Sequence, residues 1–163
     1  MQGRYRKNKG YILIEAIIAI TIAVVGLLGI FSLLSRSLSL NRVVADRFVA
    51  SYLAAEGIEI VKNLIDNNIL AGRPWNAGVA SGTYEADYTD TGLRPDSSRF
   101  ININSETGAY GYSELVPTLM KRKITIGNST DGEEITIGSR VNWTTRGGGT
   151  FDINLESHVF HWR

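Results

Sequence analysis

The sequence predicts an α+β protein in which one long N-terminal helix is followed by a C-terminal antiparallel β-sheet. Three observations lead to this prediction. Residues 16–35 form an uncharged apolar run of 20 residues, an amphipathic pattern of helical period continues after it, and short segments with strand patterns separated by turns fill residues 74–163. Strands that follow a helix, instead of alternating with several helices, favour an antiparallel sheet packed on that helix.

Composition and charge limit the functions that the chain can have. The 163 residues carry a net charge of +1, but residues 1–10 alone carry +4, so the remainder carries +1 − 4 = −3. An acidic body lacks the basic face that nucleic-acid binding requires, and 44% apolar residues is too many for a disordered chain. Cysteine is absent, which excludes disulfides, Cys-ligated zinc and thiol nucleophiles.

The apolar run 16–35 is long enough to cross a membrane, since a helix of this length spans roughly 30 Å. The basic residues before it predict that the N-terminus stays in the cytoplasm and that the rest is exported. The run is too long for an ordinary cleaved secretory signal, which has an apolar core of about 7–15 residues. An uncleaved anchor and a more specific signal remain as alternatives.

Glu15 places a carboxylate at the start of this apolar segment. A charge at the centre of a membrane helix costs about 2.5–3.5 kcal/mol, and less near an interface, so such a residue usually has a function. In the alternative interpretation Glu15 is an acid at the level of the lipid headgroups, favoured there by the helix dipole.

Four basic residues, Gly10, the aromatic Tyr11, three aliphatic residues, Glu15 and a long apolar helix together resemble the N-terminal signal of type IV pilins and pseudopilins. The resemblance implies that a membrane prepilin peptidase cuts between Gly10 and Tyr11, that Tyr11 is then N-methylated, and that Glu15 acts in assembly. There, Glu15 of one subunit would face the Tyr11 α-ammonium group of another and set their register. Tyr11 stands where the family usually has Phe, and Ser32 where many members have proline.

The amphipathic pattern after residue 35 predicts that the helix continues to about residue 66. One helical stripe of apolar and small residues carries this prediction: Val49, Leu53, Gly57, Ile60 and Leu64. We expect Gly57 to lie where the helix closely approaches a sheet, and residues 67–68 and 72–74 to close the helix. Two helices with a kink near Gly26 or Gly29 are the alternative.

Six strands are predicted after Pro74, and glycine-containing or polar turns separate them. They are residues 83–90, 99–104, 123–127, 134–138, 140–146 and 150–162, with turns at 105–108, 128–133 and 147–149. In the last strand Phe160 and Trp162 have the opposite parity to Phe151 and Val159, which predicts either a bulge or burial on both faces.

Residues 52–63 with 66–68, the strand around Trp143 and the closing residues 161–163 resemble the type IV pilus modification family of minor pilins. The two resemblances imply a pilin-like layout of three parts. These are a basic leader at 1–10, a membrane-spanning and filament-core half of the helix at 11–37, and an extracytoplasmic head at 38–163, made of the amphipathic helix half 38–66 and a β-rich part 74–163.

The resemblance implies a prepilin that begins as a single-pass protein of the cytoplasmic (inner) membrane and ends in a cell-surface pilus (fimbrium) as a minor structural subunit. Its partners would be the prepilin peptidase, other pilin subunits, the inner-membrane assembly platform and, before assembly, the lipid bilayer. Two alternatives stay open: a pseudopilin of a type II secretion or DNA-uptake machine, and an uncleaved membrane-anchored binding module.

No constellation of residues predicts catalysis, a cofactor or a metal. His158 and His161 are three apart, a spacing that puts them on opposite faces of a strand. Residues 128–134 are acidic but lack the alternating ligands of an EF-hand loop, so a hairpin turn is favoured over a calcium site. Residues 147–149 lack the Lys-Ser/Thr of a phosphate loop and predict a turn. We therefore expect a non-enzymatic protein without cofactor, metal or nucleic acid.

Overall fold

The computed structural model describes residues 9–113, 116–145 and 148–161, with side chains from Tyr11 onward. The chain divides into two compact units, Met1–Val44 and Ala45–Arg163. Within the described residues lie one helix, α1 (Lys9–Leu70), and eight strands: β1 (Gly82–Glu85), β2 (Arg94–Pro95), β3 (Asn102–Ile103), β4 (Tyr110–Gly111), β5 (Val116–Pro117), β6 (Met120–Asn128), β7 (Glu134–Thr144) and β8 (Thr150–Phe160). This order confirms the α+β prediction.

The prediction of a single helix is confirmed, because α1 continues through Gly26 and Gly29. Its predicted end at residues 67–68 is wrong. Asn68 stays helical and buried, and its Nδ2 donates to the carbonyl oxygens of Trp75 at 3.2 Å and Ala77 at 2.8 Å. With its amide satisfied by the following loop, Asn68 does not interrupt the helix, which ends just before Gly72 at a φ of +66°.

The second unit contains a five-stranded antiparallel sheet in the order β2-β1-β6-β7-β8 and a three-stranded sheet in the order β4-β3-β5. β6 pairs with β7 over nine residue pairs, and β7 pairs with β8 over eleven. Both predicted hairpins, across residues 128–133 and 147–149, are confirmed in their strand pairing; residues 146–147 lie outside the described residues.

β7 is one strand of 11 residues, although the sequence predicts two strands that end and begin on either side of Ser139. Ser139 is completely buried and paired in register with Ile124 on β6 and Leu155 on β8. The predicted break at Ser139 is therefore wrong, because this small side chain fits between its cross-strand partners Ile124 and Leu155 inside a continuous strand. β6 is likewise longer than the predicted strand 123–127.

Two predicted strands are shorter in the structure. β1 ends at Glu85 instead of residue 90, because the Asp87 carboxylate accepts a hydrogen bond from the Thr89 backbone N–H at 2.9 Å and starts a turn. Tyr88 consequently leaves the sheet face. The predicted strand 99–104 is reduced to β3, while the turn after it is confirmed by the hydrogen bond from Gly108 N to Asn104 O at 2.8 Å.

β8 is a regular edge strand, and up to Phe160 it shows neither of the predicted alternatives, a bulge or burial on both faces. Its register with β7 runs without interruption from Thr150 to Phe160. The side chains of Ile153, Leu155 and Val159 are half-buried, whereas Phe160 is exposed. Trp162 lies outside the described residues.

The core of the second unit lies between α1 and the five-stranded sheet, and the predicted helical stripe is on its buried face. One cluster joins helix residues to isoleucines of β6 and β7: Ile58, Val61, Ile65, Ile124, Ile126, Ile135 and Ile137. A second cluster combines the preceding helix turns with β6, β7 and the small sheet: Ala50, Leu53, Ala54, Ile101, Met120, Val141 and Trp143.

Gly57 lies between these clusters, at the closest approach of α1 to the sheet. A Cβ atom at this position would overlap Ser139 Oγ and lie 3.0 Å from Arg122 Cδ. The predicted close approach at Gly57 is therefore confirmed, and its cause is that no side chain fits between the helix backbone and β7.

Candidate functional site

The predicted processing site lies at the very start of α1. The helix begins at Lys9, so the peptide bond between Gly10 and Tyr11 is in its first turn. The first four N–H groups of a helix have no acceptor within the helix, and glycine is among the weakest helix formers. This bond can therefore leave the helical conformation at small cost. Residues 1–8 of the predicted leader lie outside the described residues.

Glu15 lies one helical turn after Tyr11, about 6 Å further along the axis. Its side chain is exposed, and no hydrogen bond or ion pair joins it to another side chain in the described part of the protein. Cα–Cβ bonds in a helix tilt toward its N-terminus, so the Cα–Cβ bond of Glu15 leans toward the end where a cut after Gly10 would create an ammonium group. The structure thus collects all three predicted site residues within the first two turns.

An exposed apolar surface covers α1 from Tyr11 to Leu40. Eighteen large apolar side chains in this segment are between 48% and 80% exposed. The helix is long and apolar enough to cross a membrane, and none of its most apolar stretch is buried. Soluble monomers rarely expose so large a contiguous apolar surface. This surface requires a cover of lipid or of other apolar chains.

A buried ionic cluster in the second unit was not predicted. Arg122 is 2% exposed, and its Nη1 donates to Glu56 Oε2 at 2.8 Å and to Leu53 O at 2.9 Å. Its Nη2 donates to Ala86 O. The guanidinium therefore ties α1 and the loop after β1 to β6. Alternation could have revealed it, because Arg122 has the same parity along β6 as the buried isoleucines.

Two buried carboxylates hold the loops around the small sheet. Asp87 accepts hydrogen bonds from the Thr89 hydroxyl at 2.6 Å and from the Tyr112 backbone N–H at 2.9 Å. Burial raises the pKa of Asp87, but these hydrogen bonds outweigh it and the pKa is lowered. Glu85 accepts from Arg99 Nε at 2.6 Å. Both carboxylates accept hydrogen bonds from residues of the same unit, which indicates that they stabilise the loops.

The two histidines lie in different environments. His158 contacts Glu134 through Nδ1 and Glu156 through Nε2, the latter at 3.1 Å, and hydrogen bonds to these carboxylates raise its pKa. His161 stacks on Trp75 with ring centroids 5.0 Å apart. In the described ranges, no group of three or more His, Asp and Glu side chains could hold a metal ion.

The acidic stretch 128–134 forms the hairpin turn that joins β6 to β7. Ser129 N donates to Glu134 O at 2.9 Å, and Gly132 has a φ of +72°. The Asp131 carboxylate accepts from the Ser129 hydroxyl at 2.5 Å and from Glu133 N at 3.1 Å. The Oδ1 atom of Asp131 is therefore used by the turn itself, as the predicted hairpin requires.

Comparisons of the chain with protein-family models, with curated proteins and with solved structures find no match.

Proposed function

We propose that the chain is a prepilin that is cut after Gly10 and assembled through its N-terminal helix into a type IV pilus as a minor structural subunit. The observation that supports this proposal is the order of groups along α1. The Gly10–Tyr11 bond in the first turn is followed one turn later by Glu15 and then by the exposed, uncharged apolar run of residues 16–35.

In this proposal the chain first crosses the cytoplasmic membrane once. The four basic residues before Gly10 hold the N-terminus inside, and lipid covers the apolar surface of α1. The prepilin peptidase and the inner-membrane assembly platform then act on the membrane-inserted chain. In the filament, apolar helices of other pilin subunits replace the lipid around residues 11–37.

Glu15 has a specific task in this exchange. Lipid tails are as apolar as leucine side chains, so moving α1 from lipid to a bundle of helices yields little hydrophobic free energy and does not fix register. Cutting after Gly10 removes four positive charges and leaves one α-ammonium group on Tyr11, which N-methylation keeps positive. Pairing that group with Glu15 of a neighbouring subunit satisfies both charges only in one axial register.

The mass of the intact protein from a cell that contains the peptidase tests the processing step. We expect loss of residues 1–10 and the added mass of one methyl group on Tyr11. A bulky residue in the variant Gly10→Leu should block cutting, whereas Gly10→Ala should permit it partly. A wild-type chain that retains Met1–Gly10 would refute the proposal and favour an uncleaved membrane-anchored binding module.

A second experiment tests the role of Glu15. The variants Glu15→Gln and Glu15→Leu should be inserted and cut normally, because a neutral residue suits the bilayer better than a carboxylate. The fraction of processed protein in sheared surface filaments should fall. Ile17→Leu is the matched control, since it changes shape without changing charge. Because a minor subunit leaves filaments intact when lost, the assay follows this chain.

If the fraction of processed protein in surface filaments is equal for the wild type and Glu15→Gln, Glu15 has no role in assembly and is only an acid at the end of the helix. Processed protein that never reaches surface filaments, in a cell that makes them, would instead favour a pseudopilin of a secretion or DNA-uptake machine.

A further inference from the structure

A cavity of about 540 Å³ lies in the second unit beside α1. Four aromatic side chains contribute to its wall: Phe48 and Tyr52 from α1, Tyr88 from the loop after β1, and Tyr110 from β4. A cavity of this size lies within the usual range for small-molecule sites, about 300–1,000 Å³.

The exposed aromatic rings around this cavity are not explained by the core. Phe48, Tyr52 and Tyr88 are 63%, 65% and 56% exposed. The ring centroids of Phe48 and Tyr52 are 4.9 Å apart and their planes meet at 62°, so the two rings form a corner. A flat ligand such as a sugar ring is best stacked on a flat platform, whereas a corner of rings suits a rounded group.

One carboxylate, that of Glu56, lines this cavity, and further carboxylates line the cavity next to it. A second cavity shares Glu56 and Tyr88 with it and is lined by the carboxylates of Glu59, Asp87 and Asp90 as well. No lysine or arginine is among the described residues that line either one.

Two guanidinium groups pair with members of this acidic set, Arg122 with Glu56 and Arg94 with Asp90. Four carboxylates against two guanidinium groups leave a net charge of −2 on these six side chains. The side chain of Glu59 is exposed and has no ion pair among the described residues. The surroundings of the aromatic rings are therefore complementary to a cation.

We propose that this cavity binds the trimethylammonium group of a small soluble organic cation. The faces of aromatic rings carry negative charge density and attract cations, most strongly where water is displaced. A quaternary ammonium group has no N–H to satisfy, so it loses no hydrogen bond on entering a cavity lined mainly by aromatic and other apolar residues. A lysine-like ammonium group would lose hydrogen bonds to water that Phe48, Tyr52 and their neighbours replace only in part.

Titration of the full-length chain with choline and with tetramethylammonium chloride tests this site. The protein is kept in dodecyl maltoside, a sugar detergent without a quaternary ammonium group, and binding is followed by NMR on the ligand methyl signals. The ligand control is 3,3-dimethylbutan-1-ol (dimethylbutanol), the neutral isostere of choline in which carbon replaces nitrogen. We expect both cations to bind at least about tenfold more tightly than dimethylbutanol, the ratio that corresponds to two cation–π contacts of ordinary strength.

Variants of Tyr52 separate a cation site from a merely apolar groove. Tyr52→Leu keeps apolar bulk but removes the ring, and should weaken choline binding about threefold, the loss of one such contact. Tyr52→Phe keeps the ring and should remain within about twofold of the wild type. Phe160→Leu, which removes an exposed ring at the far end of β8, should change nothing.

Equal affinity for choline and dimethylbutanol, no binding of either cation, or unchanged binding by Tyr52→Leu would each overturn the proposal. None of these results depends on cleavage after Gly10, so the outcome is separate from that of the pilin proposal.

Discussion

Replacing Gly57 by alanine measures how tightly α1 packs on the sheet. In an open helix this change stabilises by about 1 kcal/mol, because glycine is the weaker helix former. Here the new Cβ would overlap Ser139 Oγ and lie 3.0 Å from Arg122 Cδ, and neither neighbour is free to move away in the core. Overpacking of this kind costs about 1–3 kcal/mol. We expect a net loss of about 1 kcal/mol, or a fall in Tm of about 4 °C.

Urea unfolding of the full-length chain in detergent, followed by tryptophan fluorescence, gives this free energy. All three tryptophans belong to the second unit, so the signal reports that unit. Ser139→Ala removes a buried hydroxyl that has no hydrogen-bond partner in the described structure, and alone should be neutral or stabilising. Combined with Gly57→Ala, Ser139→Ala should restore part of the lost stability. Without the Ser139 hydroxyl, the close contacts of the new Cβ are those with Arg122 Cδ at 3.0 Å and with the Cβ of residue 139 at 3.2 Å. A stabilised Gly57→Ala, or a double variant no better than the single one, would contradict the packing argument.

Arg122→Met should destabilise the second unit by about 1–3 kcal/mol, measured by the same urea unfolding, because the carbonyl oxygens of Leu53 and Ala86 lose their buried donor. Asn68→Ala should cost about 1–3 kcal/mol by leaving two loop carbonyls unpaired, and should raise amide hydrogen exchange at residues 75–79. The pKa of His158 is raised, so its ion pairs with Glu134 and Glu156 stabilise the fold below the pKa of the unfolded histidine and are lost as pH rises through the raised value. Glu134→Gln should move the His158 titration, followed by NMR of the ring proton, toward lower pH; an unchanged titration would exclude the contact with Glu134 as its cause.

The features that the sequence predicted correctly depend on patterns repeated over many residues. The single helix follows from a long segment without proline, and the position of Gly57 follows from its place in the apolar stripe. The hairpin between β6 and β7 follows from two alternating segments with a polar turn between them. Each of these predictions stays correct even if the end of a helix or strand is misplaced by a residue or two.

The features that were missed depend on contacts outside the helix or strand that contains the residue. Whether Asn68 ends the helix depends on the carbonyl groups of Trp75 and Ala77, and whether Ser139 interrupts β7 depends on Gly57. The local sequence contains neither contact. Arg122 is intermediate, because its parity along β6 predicts an inward side chain, but only the structure supplies Glu56 as its partner.

The packing of the helix stripe on β6 and β7 has a consequence for the order of events during synthesis. The helix face around Leu53 and Val61 leaves the ribosome well before residues 120–143, against which it is buried in the finished protein. At about 5–20 residues per second, this face remains without its sheet for several seconds. During that time the charged residues between the apolar ones, among them Glu59 and Lys62, keep the nascent helix hydrated. β6, β7 and β8 are consecutive strands joined by short turns, so they can pair as soon as they are synthesised. The helix face then packs on a sheet that has already formed.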